Sequence, residues 1–163
     1  MNLSVVDINV LVQDSLRVLA PASEHAVLRT ELAAEELKVM LDSTQMGEGL
    51  SALLDSVSLA LPKGEPVTIG TSFLPIPHVP ENKGGDKTPG CALLYVDLGA
   101  STPQNLTIAY KEGFKRLLSA SRSILGAVKK INGCARIFTW HGSRARLSIY
   151  LPLIDRTPST HAA

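Results

Sequence analysis

The sequence predicts an α/β protein: a two-layer sandwich in which a mixed, mostly antiparallel sheet carries about three helices on one face. Three observations predict it. Three stretches repeat apolar residues every three or four positions, and each has the length of a core helix. Shorter stretches with apolar residues at every second position lie before, between and after them. The last two of these are joined only by His141-Gly142-Ser143, a hairpin signal that makes them antiparallel neighbours.

The elements follow in order. Ile8, Leu11, Val12, Leu16 and Leu19 mark a first helix, with Asp7 placed to cap it and Pro21 beyond its end. Residues 25–32 alternate and read as a strand, and Val39 and Met40 form a brief second extended piece. Asp42 or Ser43 then caps a helix whose apolar face is Met46, Leu50, Leu53, Leu54, Val57 and Leu61. Pro62-Lys63-Gly64 turns the chain into the strand Pro66–Phe73. Residues 75–90 gather four prolines and Gly84-Gly85 with mixed charge, and are expected to form a mobile loop. Cys91–Val96 reads as a buried strand ending just before Asp97. Phe114, Leu117, Ser121, Ile124, Val128 and Ile131 mark the last helix, stopped by Asn132-Gly133. The strands Cys134–Trp140 and Ala145–Leu151 close the fold. Strict alternation places Arg136, Phe138, Trp140, Arg144, Arg146 and Tyr150 on their second face. One domain over residues 1–153 and a disordered tail at 154–163 are expected.

Composition narrows the function classes. A net charge of +1 supplies no global field for nucleic acid or an anionic membrane, so neither is expected as a partner. No apolar run approaches the roughly 20 residues of a membrane span, and no basic segment precedes the first apolar residues as in a secretory signal. Cys91 and Cys134 lack metal-ligand spacing and read as reduced thiols of a cytoplasmic protein. His25, His78, His141 and His161 read as surface or turn residues, and no zinc or nucleophile motif is present. Lys111, Lys115, Arg116, Arg122, Lys129 and Lys130 give the last helix a basic face, either simply solvated or docking an acidic partner.

The run from Leu37 to Thr71, with Met40-Leu41-Asp42-Ser43-Thr44-Gln45 at its helix start, resembles the ATP-binding catalytic (HATPase, GHKL-type) domain of sensor histidine kinases. So do the opening Val6-Asp7-Ile8-Asn9 and the finish from Asn132-Gly133 to Leu151-Pro152-Leu153, so that the resemblance runs nearly end to end. It implies the histidine-kinase ATPase fold and a groove for ATP and magnesium between the last helix and the helix at 42–61. Site positions carry over one at a time. The family's magnesium-holding Asn falls on Ser56, a poor magnesium ligand, with Asp55 beside it; both also read as ordinary helix polar residues. The family's Asp-x-Gly-x-Gly falls on Asp97-Leu98-Gly99-Ala100-Ser101, where Asp97 and Gly99 match and Ser101 replaces the second glycine. Asp97 then reads either as the acceptor for the adenine amino group or as a strand-end Asp capping a turn. The phosphate-cradling Gly-x-Gly falls on Leu118-Ser119-Ala120 and is absent.

The resemblance therefore implies a degenerate member, a pseudokinase of two-component signal transduction, with Asp97, Gly99, Ser56 and Asp55 as a remnant nucleotide site. ATP or ADP with magnesium would bind weakly or not at all, with no catalytic residue and no protein-held metal. The role implied is regulatory or scaffolding, partnered by a response regulator or a histidine-kinase dimerisation domain. The alternatives are an active histidine kinase domain with divergent ligands, Asp55 for metal and Asp97 for adenine, or a phosphotransfer adaptor that docks a response regulator.

Overall fold

The computed structural model describes residues 2–19, 27–60, 66–75, 90–98, 115, 119, 121–122, 124–140 and 144–154. The elements are β1 (Ser4–Asp7), α1 (Ile8–Leu19), β2 (Val27–Glu31), β3 (Lys38–Leu41), α2 (Ser43–Ala60), β4 (Pro66–Leu74) and β5 (Cys91–Leu98). They continue with α3, whose described helical residues are 115, 119, 121–122 and 124–130, then β6 (Cys134–Trp140) and β7 (Arg144–Pro152). Strands β2-β4-β5-β7-β6 form one sheet in that order, and β1 and β3 pair as a separate antiparallel ribbon. Only β2 and β4 run parallel within the five-stranded sheet; the other neighbours are antiparallel. The expected mixed, mostly antiparallel α/β sandwich is the fold found.

Capping fixes where the helices begin. The Asp7 carboxylate accepts from the amides of Asn9 (3.0 Å) and Leu37 (3.2 Å), so one oxygen starts α1 and ties down the chain entering β3. Asp42 caps α2 by accepting from the Gln45 amide at 3.1 Å, which holds its carboxyl below the usual range. At the far end of α3, Asn132 takes φ 59°, and the Gly133 amide donates to the Val128 carbonyl at 2.9 Å, the closure of a helix by a left-handed residue.

One core lies between the helices and one face of the sheet. Ile8, Leu11 and Val12 of α1 join Met46, Leu50, Leu53, Leu54 and Val57 of α2 and Ile124, Ala127 and Val128 of α3. From the sheet come Val67, Ile69, Ala92, Leu94, Val96, Leu98, Ala145, Leu147, Ile149 and Leu151. In β5 the core residues are thus the even-numbered ones, so Cys91, Leu93, Tyr95 and Asp97 stand on the outer face.

The sequence reading differs from this in two places. The four-residue strand β1 runs straight into α1 with no turn between them. And β5 continues to Leu98 instead of stopping at Val96, which places Asp97 inside the sheet, opposite Thr68 on one side and Arg146 on the other. The expected loop at 75–90, apart from Pro75 and Gly90, lies outside the described residues, as do the turns at 62–64 and 141–143 and the tail beyond 154. No described helix is long and apolar enough to cross a membrane.

Candidate functional site

The outer face of the sheet carries a connected polar cluster built by cross-strand register. Gly70 of β4 lies between Glu31 of β2 and Tyr95 of β5, and the Tyr95 ring occupies the space a side chain at Gly70 would fill. Its hydroxyl reaches across to donate to Glu31 Oε2 at 2.8 Å. On the other side the Arg146 guanidinium stacks over the Tyr95 ring, 4.3 Å from its centre. Arg146 also grips Asp97 with both arms of its fork, Nε donating to Oδ1 at 3.2 Å and Nη2 to Oδ2 at 2.7 Å. Burial, and next the hydrogen bond to the Glu31 carboxylate, push the Tyr95 phenol up to about 12. Hydrogen bonding to Asp97 holds the Arg146 guanidinium above its ordinary value.

Asp97 is therefore buried, as its place after an apolar strand suggested, but its partner is a guanidinium. Its side chain leaves the sheet on the face opposite the helices. The position that faces α2 and α3 at the end of β5 is Leu98, which is fully buried in the core. Of the other carried-over positions, Asp55, Ser56 and Ser119 are described. Asp55 is exposed on α2 and Ser56 is half-buried beside it. Gly99 lies outside the described residues, as do Leu118 and Ala120; Ser119 is helical and exposed. Among the described residues no group of three His, Cys, Asp or Glu side chains is gathered to hold a metal, and Cys91 and Cys134 are not joined in a disulfide.

Leu50, Leu53, Leu54 and Val57 of α2, Ile124, Ala127 and Val128 of α3, and Leu94, Val96 and Leu98 of β5 belong to one buried apolar cluster. Among the described residues, two open clefts flank the start of α2. One, of about 560 Å³, is lined by Asn2, Ser4, Asp42, Ser43, Thr44, Gln45, Glu48 and Lys130. The other, of about 510 Å³, lies between α1 and α2 and has Asp14 and Glu48 in its wall. Neither is lined by Asp55, Ser56 or Asp97, and carboxylates in both work against a polyphosphate. Among the described residues, Asp97, Asp55 and Ser56 are not gathered around one cleft.

Sequence reasoning missed Tyr95, Glu31 and Gly70 as members of one cluster with Asp97 and Arg146. The signal was available in the alternation of β5: once Leu94 and Val96 face the core, Tyr95 and Asp97 must share the other face. A second cluster it missed is structural. Asn9 Nδ2 donates to the carbonyls of Ala33 (3.0 Å) and Glu35 (2.9 Å), and the Thr71 hydroxyl donates to Asn9 Oδ1 while accepting from the Ala33 amide at 2.8 Å. This clamp fastens the segment between β2 and β3 to α1 and β4.

The chain has the fold of histidine kinase catalytic domains. It superposes on the nucleotide-free catalytic domain of the histidine kinase ThkA with a TM-score of 0.62 at 16% identity, over 94% of this chain and 97% of that one. The histidine kinase domain of the E. coli osmosensor EnvZ matches with a TM-score of 0.62 at 13% identity, over 98% and 95% of the two chains. The Acinetobacter baumannii histidine kinase AdeS matches with a TM-score of 0.57 at 14% identity, over 95% of this chain and 69% of its own. No family model matches the sequence, and no curated protein does.

Proposed function

We propose that this chain is a degenerate histidine-kinase ATPase domain of two-component signal transduction, retained for a regulatory or scaffolding role and binding ATP weakly or not at all. The observation that carries this reading is the direction of Asp97. A carboxylate meant to accept from an adenine amino group has to face the nucleotide between the helices and the sheet. Asp97 instead leaves the opposite face, with both oxygens engaged by Arg146, while Leu98 fills the inward position. Phosphoryl transfer needs charge-stabilising groups positioned on the phosphates, and Ser56 and exposed Asp55 do not supply them. Retention of the frame without those groups suits a protein whose surface, and not its pocket, is used. Its partners in this reading are a response regulator or the dimerisation domain of a histidine kinase, in the cytoplasm, where Cys91 and Cys134 stay reduced.

Titration calorimetry of the protein with ATP and magnesium tests the proposal. The expected result is no magnesium-dependent heat at micromolar nucleotide. Micromolar, magnesium-dependent binding abolished by Asp97→Asn would establish the competing reading, an active kinase domain with divergent ligands.

A further inference from the structure

The outward face of α3 combines charge and shape in a way the fold does not require. Its buried positions are Ser121, Ile124, Ala127 and Val128; its exposed ones are Lys115, Ser119, Arg122, Gly126, Lys129 and Lys130. Lys115, Arg122 and Lys129 are seven residues apart, so they recur about every 10.5 Å along a single stripe. Among the described residues no carboxylate forms an ion pair with Arg122, Lys129 or Lys130; Asp42 and Glu48 share a cleft wall with Lys130. The chain as a whole carries a net charge of only +1, so this is a local concentration of positive charge.

Gly126 is the second feature. Glycine is among the poorest residues for a helix interior, and the fold asks nothing special of it here. It does not take a positive φ, and among the described residues a Cβ built on it would meet Gln45 Nε2 at an ordinary 3.8 Å. What the glycine does provide is bare backbone between Arg122 and Lys129, where another helix could approach closely.

We propose that this stripe docks an acidic α-helix of a partner protein, with Arg122 and Lys129 straddling the contact and Gly126 at its centre. A helix bearing carboxylates every seven residues repeats at the same 10.5 Å and meets each cation in turn. The small net charge gives little long-range pull toward a polyanion such as duplex DNA. With no large apolar side chain among its described exposed residues, the stripe supports a fast, salt-sensitive contact. The inference rests on α3 alone and is independent of the nucleotide reading.

The test uses the full chain, isotopically labelled for NMR, and a monomeric helical peptide of four heptads with Glu on one face at seven-residue spacing. Expected are amide shifts confined to α3 and its flanks, loss of binding when salt is raised from 50 to 300 mM, and no shifts with the matching Gln peptide. Arg122→Glu combined with Lys129→Glu should weaken binding about tenfold or more, since both lie at exposed positions. Gly126→Leu is the sharper variant. It favours the helix, circular dichroism checks that the variant is folded, and it should weaken binding by blocking close approach. Equal binding of the Gln peptide, unchanged affinity in Gly126→Leu, or tighter binding to a 20-base-pair duplex or to phosphatidylserine vesicles than to the Glu peptide would each overturn the proposal.

Discussion

Gly70→Ala offers a severe test of the outer-face cluster, because the smallest possible side chain should disturb four residues. A Cβ at position 70 would stand 2.2 Å from Tyr95 Cζ, 2.3 Å from its hydroxyl oxygen and 2.7 Å from Cε1. Carbon atoms sit comfortably about 3.5–4.0 Å apart, so the ring must retreat by more than about 1 Å. It is not free to do so at no cost. Its hydroxyl is tied to Glu31 and its face lies under Arg146. Losing the hydrogen bond to a charged acceptor costs about 1.5–3 kcal/mol, and weakening the stacked cation about 0.5–1 kcal/mol. Against this, replacing glycine by alanine within a strand contributes about 0.5–1 kcal/mol in favour of folding. The balance is a destabilisation of roughly 1–3 kcal/mol.

Urea denaturation followed by circular dichroism reads this directly, as a fall in midpoint of about 1 M for a slope near 2 kcal/mol/M. The control is the same substitution made in a Tyr95→Leu background. With the ring gone, Gly70→Ala should be neutral or mildly stabilising, and the difference between backgrounds isolates the clash. Equal penalties in both backgrounds, or none in the wild type, would refute the reasoning.

Three further outcomes follow from the geometry. The Tyr95 phenol, ordinarily near 10 and here pushed up to about 12, favours the folded state while protonated. That contribution is complete below pH 10 and disappears as pH rises through 12. Tyrosinate absorbance should accordingly show one of the three tyrosines titrating late, and Tyr95→Phe should remove that step. Asn9→Ala breaks the clamp on Ala33, Glu35 and Thr71 and should cost about 2–4 kcal/mol, with faster hydrogen exchange at the Ala33 amide. Asp42→Ala removes the cap on α2; because the capping carboxyl is held below its ordinary value, wild-type stability should fall as pH drops through the carboxylate range, and this part of the fall should vanish in the variant.

Much of this fold is written in local patterns. The apolar spacing of Met46, Leu50, Leu53, Leu54 and Val57 defines α2 because a helix that long must bury one stripe. Asn132-Gly133 ends α3 because few other residues close a helix in the left-handed region. β1 escaped because four residues are too few for a period, and its pairing with β3 is a contact across 34 positions or so of chain. The site was less legible for a related reason. Whether Asp97 faces the helices or the open side depends on one residue of register, and register is set by neighbours far away in sequence, Thr68 and Arg146. A motif match at Asp97 and Gly99 carries residue identity but not the direction of the strand's pleat.

That one-residue distinction also bears on how such a fold can be stable without nucleotide. An inward carboxylate between a sheet and its helices needs a ligand or a buried polar partner, since an isolated charge there is strongly unfavourable. Leucine at the inward position ends that requirement. Leu98 is fully buried with Leu94 and Val96, so the end of β5 contributes apolar contact where a nucleotide site would interrupt it. The Asp97 carboxylate, one residue earlier, lies beside Arg146, where a bidentate pair with a stacked tyrosine satisfies it. In the reading proposed for this chain, the result is a domain that holds its shape without nucleotide, which leaves its exterior, α3 included, as the part available for function.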